Sequence, residues 1–219
     1  TSLDNHAQHI VISLGGIDSF DGGAGMLQAL GAKFYDDEAQ IVDVSKGAYI
    51  IKYIRRIDLS GIHPKLSDAH IQLMSDFSSR LYGKQSEIMQ TYKTYSITYN
   101  EAAEIDNLIW YFSELFKSEL KLAMGPIERG GAGGGIAAVL HSLYQAEILT
   151  SHELVNQITH LEHLIQQADL IIFGEGLKEK DQILETTTLR IADLAQKHHK
   201  PSIAICATSD KFDLFESLN

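Results

Sequence analysis

Three turns of the 219-residue chain are acidic or glycine-rich, and each follows an apolar run that reads as a strand. Asp18 and Asp21 stand in the turn Gly15 to Gly25, after His9-Ile10-Val11-Ile12-Ser13-Leu14 and before Met26-Leu27-Gln28-Ala29-Leu30. Asp76 closes the run His70 to Asp76, and Glu175 sits between Gly174 and Gly176 after Asp169-Leu170-Ile171-Ile172-Phe173. In an open parallel sheet the carboxyl ends of strands converge on one crevice, so these acids are candidates for a shared site. Carboxylates beside glycine turns suit Mg²⁺ with a phosphorylated ligand, because Mg²⁺ takes one or two carboxylates plus phosphate oxygens and water. The competing reading of each acid is a helix cap at a strand end.

A fourth feature is Arg129-Gly130-Gly131-Ala132-Gly133-Gly134-Gly135, which opens a helix through Ile136-Ala137-Ala138-Val139-Leu140. Glycine lets backbone N–H groups approach an anion, a helix N-terminus adds favourable dipole charge, and Arg129 can clamp a phosphate with two parallel bonds. The same glycines also suit close helix packing or a hinge. The dinucleotide fingerprint is not met, since Gly131, Gly133 and Ile136 occupy its three glycine places, and the chain has no Gly-Lys-Ser/Thr P-loop. NAD binding and Walker-type nucleotide binding are demoted accordingly. His152, His160 and His163 lie on an amphipathic pattern without an acidic or thiolate set around them and read as solvent-facing.

The elements that must position these groups are legible from periodicity. Thr150-Ser151-His152-Glu153 is a capping box, and Leu154, Ile158, Leu161 and Ile165 continue it as one helical stripe predicted to end near Gln167. A buried strand over Asp169 to Phe173, a helix through Leu189 to Leu194 and a strand after Pro201 then form the unit of a parallel sheet. Ile105, Leu108, Ile109, Phe112, Leu115 and Phe116 mark a further helix, whereas Tyr82 to Asn100 lack periodicity and read as a loop or edge excursion. The expectation is a single layered α/β domain over residues 1–219.

Composition narrows the partners. With 29 Asp and Glu against 18 Lys and Arg, the net charge of −11 leaves no broad basic face for nucleic acid or an anionic membrane. No apolar run approaches a membrane span, and residues 1 to 8 carry neither a basic start nor an apolar signal core. The lone Cys206, in an apolar run, reads as a buried thiol in a reducing cytosol, so a cytoplasmic protein is expected.

The pattern resembles a known family. Gly15-Gly16 with Asp21-Gly22-Gly23-Ala24-Gly25-Met26-Leu27-Gln28-Ala29-Leu30-Gly31-Ala32 is similar to the GGSATNDGGAGMLQALGA motif of bacterial glycerate kinases of the glyoxylate-linked type. Ile57-Asp58-Leu59-Ser60-Gly61, Pro64, Leu66, Asp76, the block Gly130 to Gly135 and the turn Gly174-Glu175-Gly176 follow in the family's order, over nearly the whole chain. The resemblance implies a three-layer parallel-sheet fold of the Rossmann-like or flavodoxin-like kind, and a chain that looks like the middle portion of the family's two-domain protein. It further implies ATP and Mg²⁺, with glycerate as the substrate phosphorylated. On that basis Asp76 is the candidate general base or metal ligand, and Asp21 a second catalytic acid. Glu175 supports Mg²⁺, while Gly15, Gly16, Gly22, Gly23, Arg129, Gly130, Gly131, Gly133, Gly174 and Gly176 hold substrate or phosphate. Pairing with a second copy of the chain is left open.

The chain departs from the family at polar positions. Ile17 and Phe20 replace a Ser and an Asn, Asp-Val-Thr-Asn-Pro-Leu becomes Asp76-Phe77-Ser78-Ser79-Arg80-Leu81, and Leu177 replaces an arginine. Phosphoryl transfer rests on positioned charge, and one lost donor costs about 3 to 4 kcal/mol of transition-state stabilisation. The alternative expectation is a catalytically impaired relative acting as a small-molecule-binding or assembly protein.

Overall fold

The computed structural model describes residues 2–17, 19–175 and 187–206. In chain order the elements are β1 (His9–Ser13), α1 (Ala24–Ala29), β2 (Lys33–Tyr35), β3 (Arg56–Asp58), β4 (His70–Met74), α2 (Glu87–Thr91) and α3 (Tyr99–Leu120). There follow α4 (Ile136–Tyr144), β5 (Glu147–Leu149), α5 (Ser151–Thr159), α6 (Leu161–Gln167), β6 (Ile171–Glu175), α7 (Thr187–Lys197) and β7 (Ser202–Cys206). They divide into two compact units, Thr1–Ile148 and Leu149–Asn219.

In the first unit β4 lies between β1 and β5, and β1 pairs with β4 in parallel from His9↔His70 to Ser13↔Met74. Leu14, Ile71 and Leu73 of this sheet are buried with Ala137 and Leu140 of α4. A second apolar cluster joins α1, the antiparallel pair β2–β3 and α3. Helix α3 begins where the Thr98 hydroxyl accepts from Glu101 N and the Glu101 carboxylate accepts from Thr98 N at 2.7 Å. It stops at Lys121, whose φ of 60° breaks the helical path. Ile109, Phe112 and Phe116, spaced three and four apart, bury one face, at about 2 to 3 kcal/mol per large apolar side chain. Ile17 and Phe20, where the family is polar, pack into the two clusters, and Phe20 meets Tyr95 edge to face.

In the second unit β6 and β7 pair in parallel, with α7 packed on one side through Ala192 and Ala195 against Ile171 and Phe173. The expected strand, helix, strand unit is present.

Two local features differ from the sequence reading. The stretch read as a loop contains α2, a five-residue helix capped by Ser86, too short to print a periodic stripe. The long stripe after Thr150 is two helices, because His160 takes a left-handed φ of 51°. Its N–H closes α5 on Asn156 O, and the Asn156 side chain accepts from Glu162 N at the start of α6. Asp18, Gly176 and Leu177, with the side chains of Glu175 and Cys206, lie outside the described residues.

Candidate functional site

The parallel register brings the chain out of β1 and β4 side by side, with Leu14 N donating to Met74 O at 2.9 Å. Beyond that bond the two strand ends border a hollow of about 290 Å³. From β1 it takes Ser13 to Gly16, from β4 Met74 to Phe77, from the glycine block Ala132 and Gly133, and from α2 Glu87. It lies where a parallel sheet is expected to hold a ligand. Of the predicted residues the structure gathers Gly15, Gly16, Asp76 and Gly133 here.

Asp76 is exposed in this cleft, on a turn that the buried Ser75 braces. The Ser75 hydroxyl donates to Phe77 O at 3.3 Å, and Phe77 N lies 3.4 Å from the same oxygen. Gly15 and Gly16 border open space, since a Cβ built on either meets nothing within 4 Å. Gly16 also holds a φ of 72°, which favours glycine.

The remaining glycines of the two motifs are packed. Gly22 N donates to Gly134 O at 2.9 Å, and a Cβ on Gly135 would stand 2.6 Å from Gly22 Cα. On Gly23 it would meet Val139 Cγ2 at 2.8 Å, on Gly134 Ser19 O at 1.5 Å, and on Gly130 Ile127 O at 2.9 Å. The turn before α1 and the block before α4 thus interlock backbone to backbone. Asp21 is committed to the same junction: its carboxylate accepts from Gly23 N at 2.9 Å and Gly25 N at 2.8 Å. It caps α1 and is not among the residues lining the cleft.

Arg129 borders a second hollow, of about 320 Å³, with Ser78 to Arg80, Gln85, Gln90 and Glu128. A Cβ on Gly131 would strike Arg80 O at 2.2 Å, so this glycine admits the 79–80 backbone. In the second unit Gly174 and Glu175 end β6, while His160 and His163 border a separate surface hollow with Asn156, Glu162 and Gln166.

Sequence reasoning missed Glu87. Its carboxylate accepts from Gly134 N at 3.3 Å and borders the cleft. The available signal was Ser86-Glu87, a capping residue followed by an acid in the first helical turn. It also missed Asp106, which reaches from α3 to accept from Gly83 N at 2.8 and 2.9 Å and from Ser86 Oγ at 2.5 Å. Burial raises its pKa above the ordinary 3.8, against the hydrogen bonds from Ser86 and Gly83 that lower it. Asp106 thereby fixes the turn from which α2 and Glu87 start.

Among the described residues no group of three or more His, Cys, Asp or Glu is placed to hold a metal ion. No described helix is long and apolar enough to cross a membrane.

Strand order, parallel register and a cleft at the strand ends define an α/β protein of the parallel-sheet class. The glycerate kinase family model matches residues 1–216, and the chain belongs to that family. It is 33% identical over 211 residues to the Glycerate 2-kinase of Escherichia coli (strain K12), covering 94% of this chain and 54% of that protein. It is 28% identical over 207 residues to a Glycerate kinase of Halalkalibacterium halodurans, again over 94% and 54%. The crystal structure assigned to glycerate kinase 2 of Salmonella typhimurium LT2 superposes with a TM-score of 0.82 at 31% identity, over 94% of this chain and 54% of that one. The chain thus spans about half the length of the relatives it matches.

Proposed function

We propose that this chain contributes the β1–β4 cleft of an enzyme that transfers the terminal phosphoryl group of ATP to a hydroxyl of D-glycerate. The observation that carries the reading is Asp76, exposed on a braced turn and facing the same hollow as the open glycines Gly15 and Gly16. Glycines without neighbours let backbone N–H groups approach an anion, and a carboxylate beside them can take a proton. In the transfer, the glycerate hydroxyl oxygen forms the new P–O bond, the bond to the ADP oxygen breaks, and Asp76 accepts the hydroxyl proton. The packed glycines and Asp21 act at one remove, fixing the two turns that border the cleft.

Mg²⁺ fits this donor set in the way it usually accompanies nucleotides, through one or two carboxylates and the phosphates rather than a cage of protein ligands. Asp76 is a carboxylate of this cleft that would hold it, in place of serving as the base. Its chemistry there is neutralisation of phosphate charge. The partners are then glycerate and a nucleotide, acting in the cytoplasm.

Calorimetric titration of the full chain with Mg²⁺-ATP and D-glycerate, with a coupled ADP-release assay, tests the reading. Turnover that Asp76→Asn reduces by at least a hundredfold supports it; no heat with either ligand overturns it. The packing of half-buried Ile17 and Phe20 against the two apolar clusters favours a second reading, a binding or assembly protein that keeps the fold. That reading predicts cooperative unfolding without nucleotide binding.

A further inference from the structure

Beside the cleft, the second hollow is lined by polar and charged side chains to which the transfer step assigns no role. Two arginines, Arg80 and Arg129, face it with the hydroxyl residues Ser78 and Ser79. Glu128 also borders it, so the lining carries one net positive charge. Among the described residues the Arg80 guanidinium has no hydrogen-bond or ion-pair partner, although its backbone is held firmly. Arg80 N donates to Gln85 O at 2.9 Å, Gly131 N donates to Ser79 O at 3.2 Å, and only glycine at 131 lets the two segments approach so closely. Ser79 adds an independent observation. Its residue is 2% exposed, and its Oγ is buried without a hydrogen-bond partner among the described residues. A buried hydroxyl left unpaired is a cost that a ligand oxygen would remove.

We propose that this hollow is an oxyanion subsite, in which Arg80, with Arg129 beside it, clamps a carboxylate or phosphate oxygen pair and Ser79 donates to it. The guanidinium fork matches both groups bidentately, which a lysine point charge would not. The assignment goes with the residues of this chain: Ser79 and Arg80 stand where the resembled motif has Asn-Pro, so the subsite replaces a different arrangement. It rests on the kinase reading only for its two candidate occupants, the carboxylate of glycerate and a phosphate of the nucleotide.

The experiment titrates the full chain separately with D-glycerate, inorganic phosphate and ADP by calorimetry, in wild type, Arg80→Gln, Arg80→Lys and Ser79→Ala. Arg80→Gln should weaken at least one ligand tenfold or more, and Arg80→Lys should restore that affinity only in part. Because Arg80 is exposed, the melting temperature without ligand should not move. Ser79→Ala should bind the same ligand several-fold more weakly while melting no lower than wild type, which a merely structural serine would not do. Loss confined to D-glycerate assigns the carboxylate; loss of phosphate and ADP together assigns the nucleotide. Wild-type affinity for all three in Arg80→Gln, or no binding of any of them to wild type, overturns the subsite. Arg80-dependent binding without turnover would leave the subsite standing and remove the kinase reading, whereas turnover with unchanged affinities in Arg80→Gln would do the reverse.

Discussion

Gly15–Gly16 and Gly134–Gly135 look alike as sequence, two glycine runs each ahead of a helix, yet they occupy opposite environments. The first borders open space beside Asp76, and the second is wedged against Ser19 and Gly22 with no room for a methyl group. Glycine is needed in one place so that something else can approach, and in the other because the backbone has already arrived. The difference separates the cleft from the joint that holds it open.

The sharpest way to break that contrast is Gly134→Ala. Its Cβ would fall 1.5 Å from Ser19 O at a φ of +63°, so the joint must part, and we expect a loss of about 3 kcal/mol or more in chemical denaturation. A variant as stable as wild type would mean that the two turns do not interlock. Next in size is Asp106→Ala, which strips the bonds from Gly83 N and the buried Ser86 Oγ. Two unpaired donors cost about 1 to 3 kcal/mol, reduced by removing a desolvated charge. The raised pKa adds a pH signature. The folded chain holds the Asp106 proton more tightly than the unfolded chain, so this contribution is present below pH 3.8 and is lost as pH rises through the higher folded value. Between pH 3 and 6 the stability of wild type relative to Asp106→Asn should therefore decline as pH rises. Smallest in stability is Gly15→Ala, expected within about 0.5 kcal/mol of wild type because nothing surrounds its Cβ, while its affinity for Mg²⁺-ATP drops several-fold. A stable Gly15→Ala with unaltered ligand affinity would move the anion site elsewhere.

Much of this was legible beforehand, and the boundary is physical. β1, β4 and the β6–α7–β7 unit follow from apolar runs, and α3 from its stripe and its capping pair, because those signals are local. The cleft itself was half legible: strand ends in a parallel sheet nominated Asp76, Gly15 and Gly16. What a sequence cannot display is the space around a residue. Gly22, Gly23 and Gly130 read as a phosphate cradle, and nothing in their spacing shows that Gly134, Val139 and Ile127 pack against them. Asp21 reads as a second cleft acid, yet its two backbone bonds turn it into a helix cap. Glu87 and Asp106 went unread because their partners lie 47 and at least 20 residues away in the chain.

One measurement reaches the central claim, that the cleft between β1 and β4 and not the interlocked joint receives ligand. Backbone amide resonances of the isotope-labelled full chain, followed through a titration with Mg²⁺-ATP and D-glycerate, report on both regions at once. The account predicts that the amides of Gly15, Gly16, Asp76 and Gly133 shift together at one affinity while those of Gly22 and Gly23 stay nearly still. Shifts centred on Gly22 and Gly23 with Gly15, Gly16 and Asp76 unmoved would contradict it.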